Sequence, residues 1–385
     1  MQRFDVLVIG GGVIGQATAF QLLTADPALR VGVLERDPTY AGASSGLSVG
    51  GIRQQFGTAI NVRIARDSVR FYERAKEHLG EAAEIGLRQQ GYLFLATDET
   101  WPLFRARASL ARAQGVPVEL LTPQDAARLV PGLYVDDLAG ASFCHTDGYL
   151  DPQGVLAAFR GAALRLGAQP LTGEAAGFIA AGGRIDAVRP RAGEALYAER
   201  FVLAAGAWTG RLAALLGAEL PVRPLRRQVH LVMPKEPLGE VPLTIDPSGL
   251  HFRPESGGRL IVAHQTAGDG YDLPLDWDRG AFLEELWEPL ARRVPSLAEL
   301  RLERGWSGYY DDNVLDHNAI VGLLPGAQNA FVATGFSGHG LMQCPAVTRG
   351  LAELMLYGSY RSLDLSALSP QRFARGELLL EPAVI

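Results

Sequence analysis

The chain is short of the residues that staple a fold or anchor it in a bilayer. Two cysteines, Cys144 and Cys344, stand in 385 residues, too few for a disulfide framework. Neither belongs to a C-x-x-C pair, so a zinc ribbon and a thioredoxin-like redox motif are excluded. No apolar run reaches the roughly 18 residues that a membrane span requires. There is no internal repeat and no low-complexity tract, and His145, His230, His317 and His339 show no metal-ligand spacing. Positive charge is not concentrated either. Lys+Arg number 36 against 42 Asp+Glu, a net charge of −6, and the arginines are scattered, which argues against a nucleic-acid surface. The first residues carry Arg3 alone as a base and run into glycines rather than a small-residue cleavage site. No signal peptide is expected there, and a cytoplasmic, reducing location is.

Apolar residues make up 48% of the chain and glycines number 45. A chain of this length buries about 75% of its unfolded surface and divides into roughly two to three domains. Phe4-Asp5-Val6-Leu7-Val8-Ile9 reads as a strand buried on both faces. Gly10-Gly11-Gly12-Val13-Ile14-Gly15 follows, then helical spacing from Val13 to Ala25, then a second strand, Arg30 to Leu34, ending at Glu35. This is the setting that a G-x-G-x-x-G pattern needs in order to bind a dinucleotide. Gly10 allows the tight turn, Gly12 the approach of a pyrophosphate, and Gly15 the packing of helix on strand. The N–H groups and dipole of the helix start attract phosphate. Glu35 lies where a carboxylate accepts both ribose hydroxyls and repels a 2′-phosphate. On these residues alone, FAD and NAD are both open.

Three later segments favour the flavin. Ala43-Ser44-Ser45-Gly46-Leu47-Ser48-Val49-Gly50-Gly51 is a small, polar, glycine-rich loop leading into Ile52-Arg53-Gln54-Gln55-Phe56. Phe201 to Trp208 is an apolar strand ending in a tight turn. Phe331-Val332-Ala333-Thr334 is a third such strand, leading into Gly335-Phe336-Ser337-Gly338-His339-Gly340-Leu341 and a helix to about Tyr357. A glycine-approached helix start holds positive potential against the flavin edge that becomes negative on reduction.

With these motifs the sequence resembles the D-amino-acid oxidase superfamily of FAD enzymes, most closely its sarcosine-oxidase β-subunit-like branch, over nearly the whole chain. The resemblance implies an α/β fold with a Rossmann-like FAD-binding domain and a second, antiparallel-sheet substrate domain. It places the FAD domain discontinuously in residues 1–85, 140–222 and 305–385, and the substrate domain in 86–139 and 223–304. It implies non-covalent FAD held by Gly10, Gly12, Val13, Ile14, Gly15, Glu35, Arg36, Ser44, Ser45, Gly50 and Gly51. It adds Ala175 beside the adenosine, then Ala205, Gly206 and Trp208, and Gly335, Ser337, Gly338, His339, Gly340, Leu341 and Met342.

The activity it implies is oxidation of the C–N bond of a small amino acid or secondary amine by hydride transfer to the flavin N5. The imine is then hydrolysed, and oxygen, a quinone or a partner subunit takes the electrons. Two alternatives stay open: a flavoprotein subunit or assembly partner with little activity alone, and a 2-hydroxy-acid oxidase, against which the few lysines of the later half argue. The planar fork of arginine suits a substrate carboxylate. The candidates are Arg53, Arg226, Arg227 and Arg253, of which Arg53, Arg226 and Arg253 join His264 and His251 as the expected catalytic set. His264 matches an active-site histidine of monomeric sarcosine oxidase, and His251 stands where relatives often have Tyr. Gln54, Phe56, His251, Tyr309 and Tyr310 are expected to shape the pocket. The lysine that activates oxygen in monomeric sarcosine oxidase falls at Leu260 and the one that holds its substrate's carboxylate at Met342. No cysteine stands at 308–312, where that enzyme attaches FAD.

Elsewhere, Ala59 to Leu79 reads as one amphipathic helix, Thr122 and Asp151 as helix starts, and 173–187 as a hairpin turning at Gly182-Gly183.

Overall fold

In the computed structural model, which describes residues 3–381, two eight-stranded sheets stand side by side. The first runs Ile320–Leu323, Ala330–Thr334, Leu196–Leu203, Arg3–Ile9, Val31–Glu35, Gln169–Thr172, and a hairpin of Ala175–Ala181 and Arg184–Pro190 joins Leu196–Leu203. Pairing from Ala330–Thr334 through Gln169–Thr172 is parallel. The apolar, β-branched character of these strands follows from cover on both faces. On one side lie the helices Val13–Ala25, Ala59–Glu73, Pro152–Arg165 and Gly340–Tyr357, whose apolar residues form one core with the strands. On the other, Phe4, Leu7, Phe201, Leu203 and Ile320 form a second core with the hairpin.

The second sheet runs Leu300–Asn313, Val222–Pro234, Arg259–Ala263, His251–Glu255, Leu243–Ile245, Tyr92–Ala96, Gly140–Cys144, Val118–Leu121, mostly antiparallel. Its outer face buries Leu93, Phe252, Leu260 and Val262 against Phe282, Leu286 and Leu290. Residues 140–144 and 305–313, both within the stretches assigned to the FAD domain from sequence, are hydrogen-bonded into this second sheet. Ladder pairing with Tyr92–Ala96 and with Val222–Pro234 draws them there.

The helix starts at Thr122 and Asp151 form as read, each side chain accepting a backbone N–H of the first turn. The hairpin turns at Gly182-Gly183. The helix expected over 59–79 is broken: it ends at Glu73 and resumes at Ala75–Leu79. Arg74 leaves helical geometry (φ −114°, ψ 29°), and its N–H turns to the carbonyls of Phe71 and Tyr72.

A buried polar network fastens the C-terminal segment. Arg372 and Asp316 are almost fully buried and pair bidentately, Nε to Oδ2 at 2.8 Å and Nη2 to Oδ1 at 2.9 Å. Asp316 also accepts Leu379 N–H (3.1 Å), and Asn318 Nδ2 donates to the Leu379 carbonyl. Glu381 accepts Gly57 N–H (2.8 Å), Thr58 Oγ1 and Asn61 Nδ2 at the start of the helix Ala59–Glu73, whose own first turn has no acid. Removing one partner of a buried pair strands the other charge. Arg372→Ala is therefore expected to lower unfolding free energy by about 3–5 kcal/mol. Urea denaturation checks this, and a loss below about 1 kcal/mol would contradict the reading.

Candidate active site

The parallel strands Arg3–Ile9, Val31–Glu35, Leu196–Leu203 and Ala330–Thr334 end at one edge of the first sheet, where ligands of doubly wound folds sit. Gly10 takes φ +104°, and a Cβ there would stand 2.3 Å from the Ala204 carbonyl oxygen. Only glycine lets the first turn close so tightly on the third. A Cβ on Gly15 would meet the Gly10 carbonyl oxygen at 1.9 Å. Gly15 thus shapes the turn from behind and does not itself line the cavity.

This turn opens into a cavity of about 1140 Å³, at the upper end of ordinary small-molecule sites. Two helix starts line it. At Val13–Ala25 the Gly12 N-cap has no side-chain cap, the first turn has no acid, and Gly12, Val13 and Ile14 face the cavity. At Gly340–Tyr357 the His339 N-cap likewise has no side-chain cap and no acid follows, and Gly338, Gly340 and Leu341 face the same cavity. Both present positive helix ends to the cavity with no acid in the first turn. The approach to the second is strained. Ser337 takes φ +49°, unusual for a residue with a Cβ, and its Oγ accepts Asn313 N–H at 3.0 Å.

Glu35 accepts Gly11 N–H (2.7 Å) and Asp37 N–H (2.9 Å), which ties the glycine turn to the end of the second strand. Ser45 Oγ accepts Val13 N–H at 3.1 Å, drawing the small polar loop over the helix start. Ala175 also lines the cavity, and the guanidinium groups of Arg36 and Arg211 stack on Trp208, 5.1 and 4.7 Å from its ring centre.

Of the expected cofactor residues, Gly10, Gly12, Val13, Ile14, Glu35, Arg36, Ser44, Ser45, Ala175, Ala205, Gly206, Trp208, Gly338, Gly340 and Leu341 line the cavity. Gly15, Gly50, Gly51, Gly335, Ser337, His339 and Met342 stand behind that wall. Gly50 is pressed against the Leu150 carbonyl and Gly51 against Tyr92 and Leu243. Gly335 meets Ile320. Met342 is buried in the helical core. The His339 ring is buried, with Nε2 2.9 Å from Arg53 Nη2. Arg53 only donates, so this nitrogen accepts, and burial followed by the Arg53 charge holds His339 well below the usual histidine range.

The other half of the cavity is walled by the second sheet through Arg227, Gln228, Val229, His251, Ala263 and His264, with Tyr309, Tyr310 and Asp311 from the long strand Leu300–Asn313. Burial pushes Asp311 up to about 6. His251 and His264 are therefore brought together as expected, but the three arginines of the expected catalytic set are not. Arg226 points to the opposite face, where its guanidinium donates to the carbonyls of Gly268 and Pro274 and holds the 264–278 segment. Arg253 shares His251's face but lies two residues along, about 7 Å away, under the Val49 carbonyl, which accepts its Nε at 2.7 Å. Arg53 is sealed between the rings of Phe56 (4.7 Å) and Phe94 (5.3 Å), behind His339. Gln54 and Phe56 also stay out of the cavity; Gln54 donates to buried Asp147.

Of the four candidate arginines for the carboxylate, the one that lines the cavity is Arg227. Strand alternation separates it from Arg226 but does not say which face is inside. Its Nη2 donates to Gln265 Oε1 at 3.1 Å, its Nη1 lies 3.9 Å from Oδ2 of the buried Asp269, and the Tyr310 ring lies 5.7 Å beneath. No lysine stands among the described lining residues; Lys76 and Lys235 occupy surface ion pairs. Leu260 lies in the outer core.

Residues 5–354 match the family described as FAD dependent oxidoreductase. The chain is 36% identical over 427 residues to FAD-dependent oxidoreductase domain-containing protein 1 of Xenopus laevis, covering 100% of this chain and 85% of that protein. It is 30% identical over 359 residues to glycine oxidase of Geobacillus kaustophilus, covering 92% and 93%. It superposes on the L-proline dehydrogenase structure from P. horikoshii with a TM-score of 0.89 and 30% identity, covering 98% and 100%.

Gly15→Ala is expected to force the turn apart from behind and to weaken dinucleotide binding at least about 100-fold, as several charge-assisted backbone contacts are lost together. Fluorimetric titration of the apoprotein with FAD measures this, and unchanged affinity would contradict the assignment.

Proposed function

The chain belongs to the FAD-dependent oxidoreductase family, and from that premise we propose that it oxidises the C–N bond of a small amine that carries a carboxylate. The observation that carries this reading is Arg227, the candidate arginine whose side chain the second sheet brings to the cavity wall, above the Tyr310 ring. A substrate carboxylate suits the planar fork of such a guanidinium. The names of two relatives, glycine oxidase and L-proline dehydrogenase, agree with a substrate of this size.

The residues of the first half fit the cofactor. The two helix starts, neither with an acid in its first turn, and the Ser45 loop suit a pyrophosphate and an electron-rich ring edge, and Glu35 suits a ribose. When bound, FAD supplies the two-electron sink. The protein's part is orientation and exclusion of water. Arg227 fixes the carboxylate over Tyr310. Val229 and Ala263 keep the neighbouring wall small and apolar, and Tyr309, its hydroxyl donating to the Leu273 carbonyl at 2.6 Å, holds the covering segment down.

We take the electron acceptor to be a quinone, a dye or a protein rather than oxygen, because the described lining has no lysine to assist superoxide formation. Both cysteines are buried away from the cavity, which supports a non-covalent cofactor. A second reading, assembly with another chain, draws on Leu283 and Trp287. They lie four residues apart on one helical face and are 48% and 42% exposed.

Anaerobic mixing with a panel of N-methyl amino acids, proline isomers and D-amino acids is expected to bleach the flavin band, and failure of every member would overturn the reading. Arg227→Ala should weaken the active carboxylate about 100-fold, by loss of two charge-assisted hydrogen bonds, with little change in bound flavin. In steady state, an artificial acceptor is expected to outpace oxygen at least about tenfold, a difference of 1.4 kcal/mol in barrier; rapid oxygen turnover would reverse the choice of acceptor.

A further inference from the structure

The substrate half of the cavity contains a hydrogen-bond acceptor fixed by the backbone. Its effect is to specify how many hydrogens the substrate nitrogen carries. We propose that His251 Nε2 accepts the N–H of a neutral primary or secondary amine, so that the site takes amines bearing at least one N–H and rejects tertiary ones. This inference rests on the amine-oxidation reading above and deepens it.

The tautomer follows from one contact. His251 Nδ1 lies 3.1 Å from the Gly249 carbonyl oxygen. A carbonyl only accepts, so Nδ1 carries the hydrogen and the lone pair sits on Nε2. The carbonyl is itself fixed. Gly249 takes φ +93°, closing a turn in which its N–H donates to the Asp246 carbonyl (2.8 Å) and Asp246 N–H to the Leu250 carbonyl (2.8 Å). The His264 ring leans against the same residue: a Cβ on Gly249 would lie 3.5 Å from it.

The ring stays neutral, and so must the amine beside it. Burial is the larger cause, and the nearby charges, His264 when protonated and Arg53, also oppose a further proton, so His251 is held down to about 4. Arg227 adds positive charge on the same half of the cavity, offset in part by the buried Asp269 carboxylate 3.9 Å from its Nη1. An ammonium group is disfavoured there, whereas a free amine donates to Nε2 and keeps its lone pair for the forming C=N bond. The proton lost beforehand goes to water, not to the ring.

The spacing suits an amino acid. His251 pairs with Ala263, and Ala263 with Val229, so the three form one row across adjacent strands, with Arg227 two residues along from Val229 on the same face. Two strand spacings and two residue rises put the His251 and Arg227 Cα atoms about 12 Å apart. The amine and carboxylate oxygens of an α-amino acid lie about 3 Å apart, and a hydrogen bond at each end adds about 6 Å. The remaining distance of about 3 Å is within the reach of the long arginine stem.

A site built around a hydrogen bond discriminates strongly against the analogue that lacks it. The test uses the holoenzyme and matched pairs: N-methylglycine with N,N-dimethylglycine, and L-proline with N-methyl-L-proline. The readout is the apparent second-order rate of anaerobic flavin bleaching. The wild type is expected to favour the N–H member of the reduced pair at least about 30-fold. In His251→Phe that ratio should fall below about 3-fold, through loss on the N–H member alone. His251→Gln keeps an acceptor and should fall between the two. Acetate, which carries the carboxylate without the amine, should perturb the flavin spectrum with the same affinity in all three proteins, which shows that each is folded and loaded. A wild type that reduces tertiary amines as fast as secondary ones overturns the proposal. So does a phenylalanine variant that slows both members equally. If no amine bleaches the wild type, the amine-oxidation reading itself has failed, a separate outcome from an unchanged ratio.

Discussion

The contact on which the architecture turns is that of Gly10 against Ala204. No side chain fits between that turn and the end of the Leu196–Leu203 strand, because even a methyl carbon would stand 2.3 Å from a carbonyl oxygen. The contact brings the mouths of two parallel strands together at the sheet edge and aims the helix Val13–Ala25 into the space between the sheets. The C-terminal helix Gly340–Tyr357 packs against that first helix and opens into the same space. Both ends of the fold therefore lend positive potential to one cavity.

Electrostatics sorts the two halves of the cavity by different means. The dinucleotide half uses backbone N–H groups and a carboxylate, Glu35, already committed to two of them. The other half uses arginine as its cation and keeps its imidazoles neutral by burial, His251 at about 4 and His264 also lowered. Asp311, pushed up to about 6, lies between. An anionic end and an uncharged nitrogen are what such a surface accommodates at least cost in desolvation.

The dinucleotide half was legible in the sequence because its chemistry is mostly backbone. Glycine spacing, a strand on either side and the acid at Glu35 are local features, and they lie where the order of residues puts them. Long-range choices were not legible. Arg226 and Arg227 differ by one step in a strand, and only the pairing of that strand with Leu300–Asn313 and Arg259–Ala263 decides which faces inward. Arg253 was misplaced because the loop that covers it, ending at Val49, is some two hundred residues away in sequence. Gly50, Gly51, Gly335 and Ser337 belong to the right segments but support the wall instead of forming it. The break at Arg74 has no glycine or proline to announce it.

The network at Glu381 bears on how this chain comes into being. The ribosome reaches Glu381 only 323 residues after Thr58, whose hydroxyl donates to it, and of the two strands beside Arg3–Ile9 one, Val31–Glu35, follows closely while the other, Leu196–Leu203, is made nearly two hundred residues later. The first sheet is completed only by Leu196–Leu203, Ile320–Leu323 and Ala330–Thr334, so the nascent polypeptide cannot close its first domain before its second is largely made. The contacts that close the first sheet and its C-terminal network form only after those later residues are made, and until then its apolar strands need shelter from their own kind.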